Sequence, residues 1–393
     1  MLNVLSLNVA SFASSKLLFC NFLCRYESKV IQEIIGRICT ELYHKFSSVC
    51  EDLVGMDSRV EEMLGSYLGE GLGDVHFVGI CGMGGMGKTT LAQEIYRRIS
   101  SNFEVGKFIA NVREETKNHG LVSLQKQFLS KTLMQSEINI SNIYEGINVI
   151  RSTLQNKKVF VVLDDVDGEE QLSALAGKHD WFGPGSRIIV TSRNSHLLIR
   201  CGVNDIYIAK GLSDNDALKL FSLKAFHKSH PEENFVNLSM VFVKYAKGLP
   251  LALKVLGSLL FDKTKNEWKS ALTKLKAEFD ENIMTILQIS FDGLTDKQKA
   301  LFLDIACFFK GESKDCIRDV LQSFGYHPDY NIGVLIDKSL ITIKGHEILW
   351  MHDLLQGMGQ EIVRCESPRE PGGRSRLWIC KEVIHVLKNN TVS

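Results

Sequence analysis

The densest chemistry in this 393-residue chain lies in eight consecutive residues, Gly82-Met83-Gly84-Gly85-Met86-Gly87-Lys88-Thr89, which fit G-x-x-x-x-G-K-[ST] throughout. An apolar, β-rich run (VHFVGI, 75–80) precedes them and a helical one (88–98) follows, the setting in which this pattern works as a phosphate-binding loop. Glycines let the main chain wrap a phosphate with its N–H groups turned inward, and the helix N-terminus adds a positive dipole end. Gly82, Gly84, Gly85, Gly87, Lys88, Thr89 and Thr90 are therefore the candidate phosphate contacts. The Lys88 ammonium reaches the outer phosphates, and the Thr89 hydroxyl is placed to hold Mg²⁺.

Two further segments carry groups suited to the same ligand. The apolar run VFVVL (159–163) ends in Asp164-Asp165. A carboxylate at the tip of a strand beside the loop strand is where a Walker B aspartate meets the metal shell, so Asp164 is assigned to Mg²⁺. Asp165 is the candidate catalytic residue, polarising a water. The alternative is a plain pair of turn aspartates ahead of Glu169-Glu170. GSRIIVTSRN (185–194) presents Arg193 just past another apolar run, on the side where phosphates should lie. A planar, multi-donor guanidinium suits a γ-phosphate sensor, with an exposed structural arginine as the rival reading. Arg187 reads as structural.

These residues need a rigid frame, and the pattern supplies one. Short β-rich runs at 75–80, 108–112, 159–163, 188–191 and 206–209 alternate with helical segments, which predicts a doubly wound parallel α/β sheet. Past Gly211 strands give way to helices at 213–226, 235–247, 250–261, 267–276, 281–291 and 296–307. A helix and two short β runs (SLITIK, EILWMH) then suggest a winged helix. Ahead of the sheet, 51–68 predicts a turn and a helix capped by Asp57 or Ser58. The expected order is an irregular lead peptide (1–25), a helical linker (26–50) and a P-loop nucleotide-binding domain (51–210). A helical subdomain (211–280), a winged-helix subdomain (281–366) and a connector (367–393) complete it.

Composition removes several alternatives. Lys plus Arg balances Asp plus Glu at 46 each, so the basic excess of a chain that lives on nucleic-acid phosphates is missing. The ten cysteines include no C-x-x-C pair, which excludes zinc-site spacing and a compact disulfide framework. LLFCNFLC (17–24) falls far short of the roughly 20 residues that span a bilayer, and no other stretch is a candidate.

Taken in order, GICGMGGMGKTTLAQ, KKVFVVLDDVD, GSRIIVTSRN, GLPLALKVLG (248–257), FLDIACFF (302–309) and MHDLLQGMG (351–359) resemble the NB-ARC module of plant intracellular immune receptors. Asp167 closing LDDVD, and FLDIACFF itself, point to the class that carries an N-terminal TIR domain. The resemblance implies further roles. Val54 and Gly55 would lie near the adenine, Pro250 would pack against the base, and His352 of the MHD triad would touch the β-phosphate of ADP. Without it, Pro250 is a helix starter and His352 a satisfied histidine. Asp353 is expected as a helix cap.

The implied function is a switch in defence signalling, ADP-bound at rest and activated by exchange to ATP with Mg²⁺. At most it is a slow ATPase, since RYESKVIQEIIGRI (25–38) resembles only the linker after a TIR domain and no TIR NAD-cleaving glutamate is expected. A working P-loop ATPase and an ATP-dependent winged-helix transcription regulator are the alternatives. Partners would be other immune receptors or further copies of the chain, in the cytoplasm or between cytoplasm and nucleus.

Overall fold

A computed structural model describes residues 53–69, 73–133, 139–277 and 279–390; the lead peptide and helical linker expected at 1–50 lie outside the described residues. Five strands form one parallel sheet: β1 (His76–Cys81), β2 (Val105–Ile109), β3 (Val159–Val166), β4 (Arg187–Ser192) and β5 (Asp205–Ile208). Their order is β2-β3-β4-β1-β5. Residues 159–164 of β3 and all of β4 are buried, as expected of strands covered on both faces, and this explains their unbroken apolar text. β4 separates β1 from β3, so the loop after β1 and the aspartates ending β3 open on the same edge with the end of β4 between them.

The expected strand at 108–112 is corrected to Val105–Ile109. Val105 pairs with Val159, and Asn111 at φ 51 already turns the chain into the next helix. The Gly106-Lys107 pair interrupts the apolar text and hid the true start. Helices α1 (Met56–Glu62), α2 (Lys88–Ile99), α3 (Val112–Leu133), α4 (Ile143–Leu154), α5 (Glu169–Ala176) and α6 (Ser195–Arg200) accompany the sheet. Gly120, at φ 78, breaks α3 into two segments. The cap of α1 is also corrected: Gly55, at φ 66, precedes Met56, so neither Asp57 nor Ser58 starts the helix.

Beyond the sheet come α7 (Asp214–Phe226), α8 (Val236–Ala246), α9 (Pro250–Leu260) and α10 (Lys265–Ala277). Phe221, Phe242 and Trp268 pack edge-on and stacked at their centre, and the buried Trp268 indole donates to the Leu260 carbonyl at 3.0 Å. α11 (Glu281–Asp292), α12 (Asp296–Asp304), α13 (Lys314–Ser323) and α14 (Pro328–Asp337) lead into an antiparallel hairpin. Its strands are β6 (Thr342–Lys344) and β7 (Ile348–Trp350), followed by α15 (Asp353–Glu366) and α16 (Cys380–Asn389). Among the described residues no helix is long and apolar enough to cross a membrane.

Candidate nucleotide site

The loop from Gly82 to Gly87 joins β1 to α2, and Gly85 and Gly87 hold φ values of 78 and 89 that side chains with a Cβ rarely adopt. Lys88 begins α2 and folds back over the loop: its ammonium donates to the carbonyls of Gly82 (2.7 Å) and Met83 (3.0 Å). Burial, and then repulsion from Arg193, pull its pKa down to about 8. A buried ammonium poised this way gains from a neighbouring anion. Thr90 is half-buried in the first turn of α2.

Thr89 donates its hydroxyl to Asp164 Oδ1 at 2.8 Å, and Thr191 at the end of β4 donates to the same oxygen at 2.6 Å. The other oxygen, Asp164 Oδ2, is buried without a hydrogen-bond partner. Leaving a carboxylate oxygen in that condition costs free energy unless something positive meets it. Hard oxygen ligands from a hydroxyl and a carboxylate, with one carboxylate oxygen free, fit Mg²⁺.

Asp165 sits within β3 at φ 56, where the register of β3 on β4 shifts, and its N–H donates to the Thr191 hydroxyl at 2.8 Å. Its carboxylate takes two bonds from Arg113 at 2.8 Å and a longer one from Arg193 Nε at 3.4 Å. Burial alone would raise its pKa, but Arg193 and Arg113 outweigh it and hold the group below its ordinary value. A carboxylate gripped by two guanidiniums is a poor proton acceptor.

Arg193 stands where the sheet edge meets the later helices. Its Nη1 donates to the Ile286 carbonyl of α11 at 3.0 Å and borders the glycine loop. A methyl on Gly84 would lie 2.9 Å from that nitrogen and 3.1 Å from the Ile286 oxygen, so only glycine leaves room for the contact. Next to it, Leu251 N donates to the Gly85 carbonyl at 3.2 Å, which presses the start of α9 onto the loop. Pro250 Cγ comes within 3.9 Å of where a Gly87 methyl would stand. Gly55, below the buried Val54, lies against Asp216 and Leu212, and Leu212 N bonds to the Gly248 carbonyl at 2.9 Å. Val54, Gly55, the loop, Thr89, Asp164, Asp165, Arg193 and Pro250 are thus linked through one series of contacts.

His352 joins this series one step further out. Its Nδ1 accepts from Leu354 N at 3.2 Å, so the ring proton sits on Nε2, which donates to the Lys247 carbonyl at 3.2 Å. The histidine therefore holds the turn that delivers Pro250, and both of its ring nitrogens bond to main chain. Burial lowers its pKa. The cap of α15 is His352, which corrects the expectation for Asp353; that carboxylate instead takes Lys310 at 2.5 Å and Lys247 at 3.2 Å. Arg187, read as structural, bonds the carbonyls of Gly69 and Asp74.

Arg113, Thr191, Ile286 and Lys247 escaped the sequence reading. Arg113 sits in a charged text, Arg113-Glu114-Glu115, that looks like any helix surface, and three of the contacts involve carbonyl oxygens or hydroxyls that carry no motif.

With this geometry in hand, the chain matches two family models: the NB-ARC domain over residues 57–231, and the winged-helix domain of disease resistance protein Roq1-like proteins over 295–367. It is 45% identical over 354 residues to disease resistance protein RUN1 of Vitis rotundifolia, covering 90% of this chain and 26% of that protein. It is 42% identical over 380 residues to TMV resistance protein N of Nicotiana glutinosa, covering 95% and 32% respectively. The chain thus spans only about a quarter to a third of the length of these relatives. Among solved structures, a Walker-type ATPase of Pyrococcus abyssi superposes with a TM-score of 0.54 at 16% identity, over 79% of this chain and 97% of that one, a likeness of fold.

Proposed function

We propose that the chain, which carries an NB-ARC domain followed by a Roq1-like winged-helix domain, is the nucleotide-binding module of a plant disease resistance protein and works as a switch set by ADP and ATP. The observation that carries the reading is the position of Arg193, beside Gly84 of the phosphate loop yet spending one hydrogen bond on the Ile286 carbonyl of α11.

In this reading Lys88, Thr90 and the N–H groups of Gly82, Gly84, Gly85 and Gly87 bind the phosphates, while Val54, Gly55 and Pro250 line the base. Thr89 and Asp164 would hold Mg²⁺, which neutralises charge on the outer phosphate oxygens when bound. At rest, with ADP, His352 clamps the winged helix to the turn at Lys247 and Arg193 clamps α11. A γ-phosphate beside Gly84 offers Arg193 a stronger acceptor than a carbonyl, so Arg193 would let α11 go. Moving a two-state population from 1:99 to 99:1 requires about 5.5 kcal/mol of differential binding. Two or three charge-assisted hydrogen bonds of about 1.5–3 kcal/mol each suffice. Asp165, held ionised between Arg113 and Arg193, would polarise a water poorly, so hydrolysis is slow and serves to reset the state.

The whole receptor's partners in defence signalling would be other receptors or further copies of the chain, in the cytoplasm or between it and the nucleus. Denaturing purified protein and identifying the released nucleotide by chromatography tests the switch. Stoichiometric ADP is the expected result, and an empty site overturns it. Steady-state turnover above about 1 s⁻¹ would instead mark a working ATPase.

A further inference from the structure

On the far side of Arg193 the ends of β3 and β4 face a cavity of about 300 Å³ to which no residue of the glycine loop contributes. Arg113, Arg193, Ser290 of α11 and Lys338, just past α14, line it together with Asp165 and Asp167. Hydrogen-bond donors outnumber open acceptors there. Arg113 spends Nε and one Nη on Asp165, and Arg193 spends Nε on Asp165 and Nη1 on Ile286, which leaves guanidinium N–H groups uncommitted on both. Both oxygens of Asp165 are taken by these arginines, and Asp167 accepts from Gln171 at the rim. Among the described residues Lys338 makes no ion pair, and the buried Ser290 hydroxyl, one helical turn beyond Ile286, has no hydrogen-bond partner. Groups of this kind, converging from α3, the end of β4, α11 and the end of α14, match a small tetrahedral oxyanion.

We propose that this cavity binds inorganic phosphate and that the bound anion staples the winged helix and α11 to the edge of the sheet. The inference goes beyond the nucleotide switch: Arg193 and Asp165 are common to both, but Lys338 and Ser290 belong to neither the phosphate loop nor the metal site. The phosphate has two possible sources: the solution, or the nucleotide cleaved next door.

The test uses the chain saturated with ADP, so that the glycine loop is filled, and titrates potassium phosphate against potassium chloride at matched ionic strength, followed by calorimetry and thermal melting. A saturable rise in melting temperature specific to phosphate is expected. Apparent phosphate affinity should fall about ten-fold in Lys338→Met and about three-fold in Ser290→Ala, the sizes of one charged and one neutral hydrogen bond, with ADP affinity unchanged. An equal response in wild type and Lys338→Met, or one no larger than with chloride, overturns the proposal. So does a response abolished by Lys88→Ala but kept in Lys338→Met, since phosphate would then sit in the glycine loop. Radiolabel from γ-labelled ATP that stays with the desalted wild-type chain but not with Lys338→Met identifies the product as the source. Binding of added phosphate without such retention identifies the solution. Failure of these arms with ADP still co-purifying would sink the cavity and spare the switch.

Discussion

Two halves of the candidate site are built in different ways. At the phosphate end, residues 77–81 of β1 and 159–164 of β3 are buried, and Asp164 takes two hydroxyl bonds inside that core. At the helical end, α9, α11 and α15 reach the site through a handful of polar contacts: Leu251 N to Gly85, Arg193 to Ile286 and His352 to Lys247. Each is worth about 0.5–3 kcal/mol net, depending on charge. The accompanying Lys247–Asp353 pair, with side chains 51% and 40% exposed, is screened and adds little. A rigid end that keeps its shape and a second end held by separable bonds are what a switch requires. The first can bind in either state, and the second can let go without unfolding the sheet.

The largest expected effect breaks the rigid end alone. Lys88→Ala should lower ADP and ATP affinity by at least about 100-fold, because two charge-assisted bonds at about 1.5–3 kcal/mol each are lost. Circular dichroism should stay that of wild type. Titration with a fluorescent nucleotide decides it, and wild-type affinity removes the glycine loop from the site. Next in size, Asp164→Asn should cost ATP about ten-fold or more in the presence of Mg²⁺ and little in EDTA. Equal magnesium dependence in variant and wild type would withdraw the metal from Asp164.

Gly84→Ala probes the seam between the ends. Its methyl would meet Arg193 Nη1 at 2.9 Å and the Ile286 carbonyl at 3.1 Å, and overpacking of this kind costs about 1–3 kcal/mol. The strain falls on the helical end, so ADP should leave about five- to ten-fold faster, and limited proteolysis should cut first near α11. A variant that loses the sheet's stability instead would show that the two ends are not separable.

How much of this was legible in the sequence follows the same division. The loop, Thr89, Asp164 and the place of Arg193 could be read directly, because contiguous glycines and strand tips restrict residue type strongly. Val54, Gly55, Pro250 and His352 were singled out only through family resemblance. The partners that give Arg193, Asp165 and His352 their settings were not, since they lie 93, 52 and 105 residues away and two of the three are main-chain carbonyls. Any residue type offers a carbonyl, so such a partner leaves no mark in the text. Arg113 has a side chain that could have been noticed, but only the register of β2 on β3 brings it to Asp165. The three-residue error on β2 hid that register.

The smallest effect concerns the outermost contact. His352 is neutral, with its proton on Nε2 toward Lys247 and its Nδ1 accepting from Leu354. Burial pulls its pKa below the ordinary 6.5; the Lys247 carbonyl and Asp353 work against that shift, and Lys310 and Lys247 with it. The sign of the linkage follows. An open state with a solvated imidazole binds a proton as pH falls below about 6.5, while the closed state resists until its own lower pKa. The contact is therefore fully present above about 6.5 and is lost as pH drops through the closed-state value. Release of fluorescent ADP, followed by stopped flow, should accelerate a few-fold as pH falls below about 6.5. His352→Ala should start about five-fold faster, the worth of one hydrogen bond of about 1 kcal/mol, and show no such acceleration. If the acid limb survives in His352→Ala, the titrating group lies elsewhere, and the helical end is held shut by Arg193 without the histidine's help.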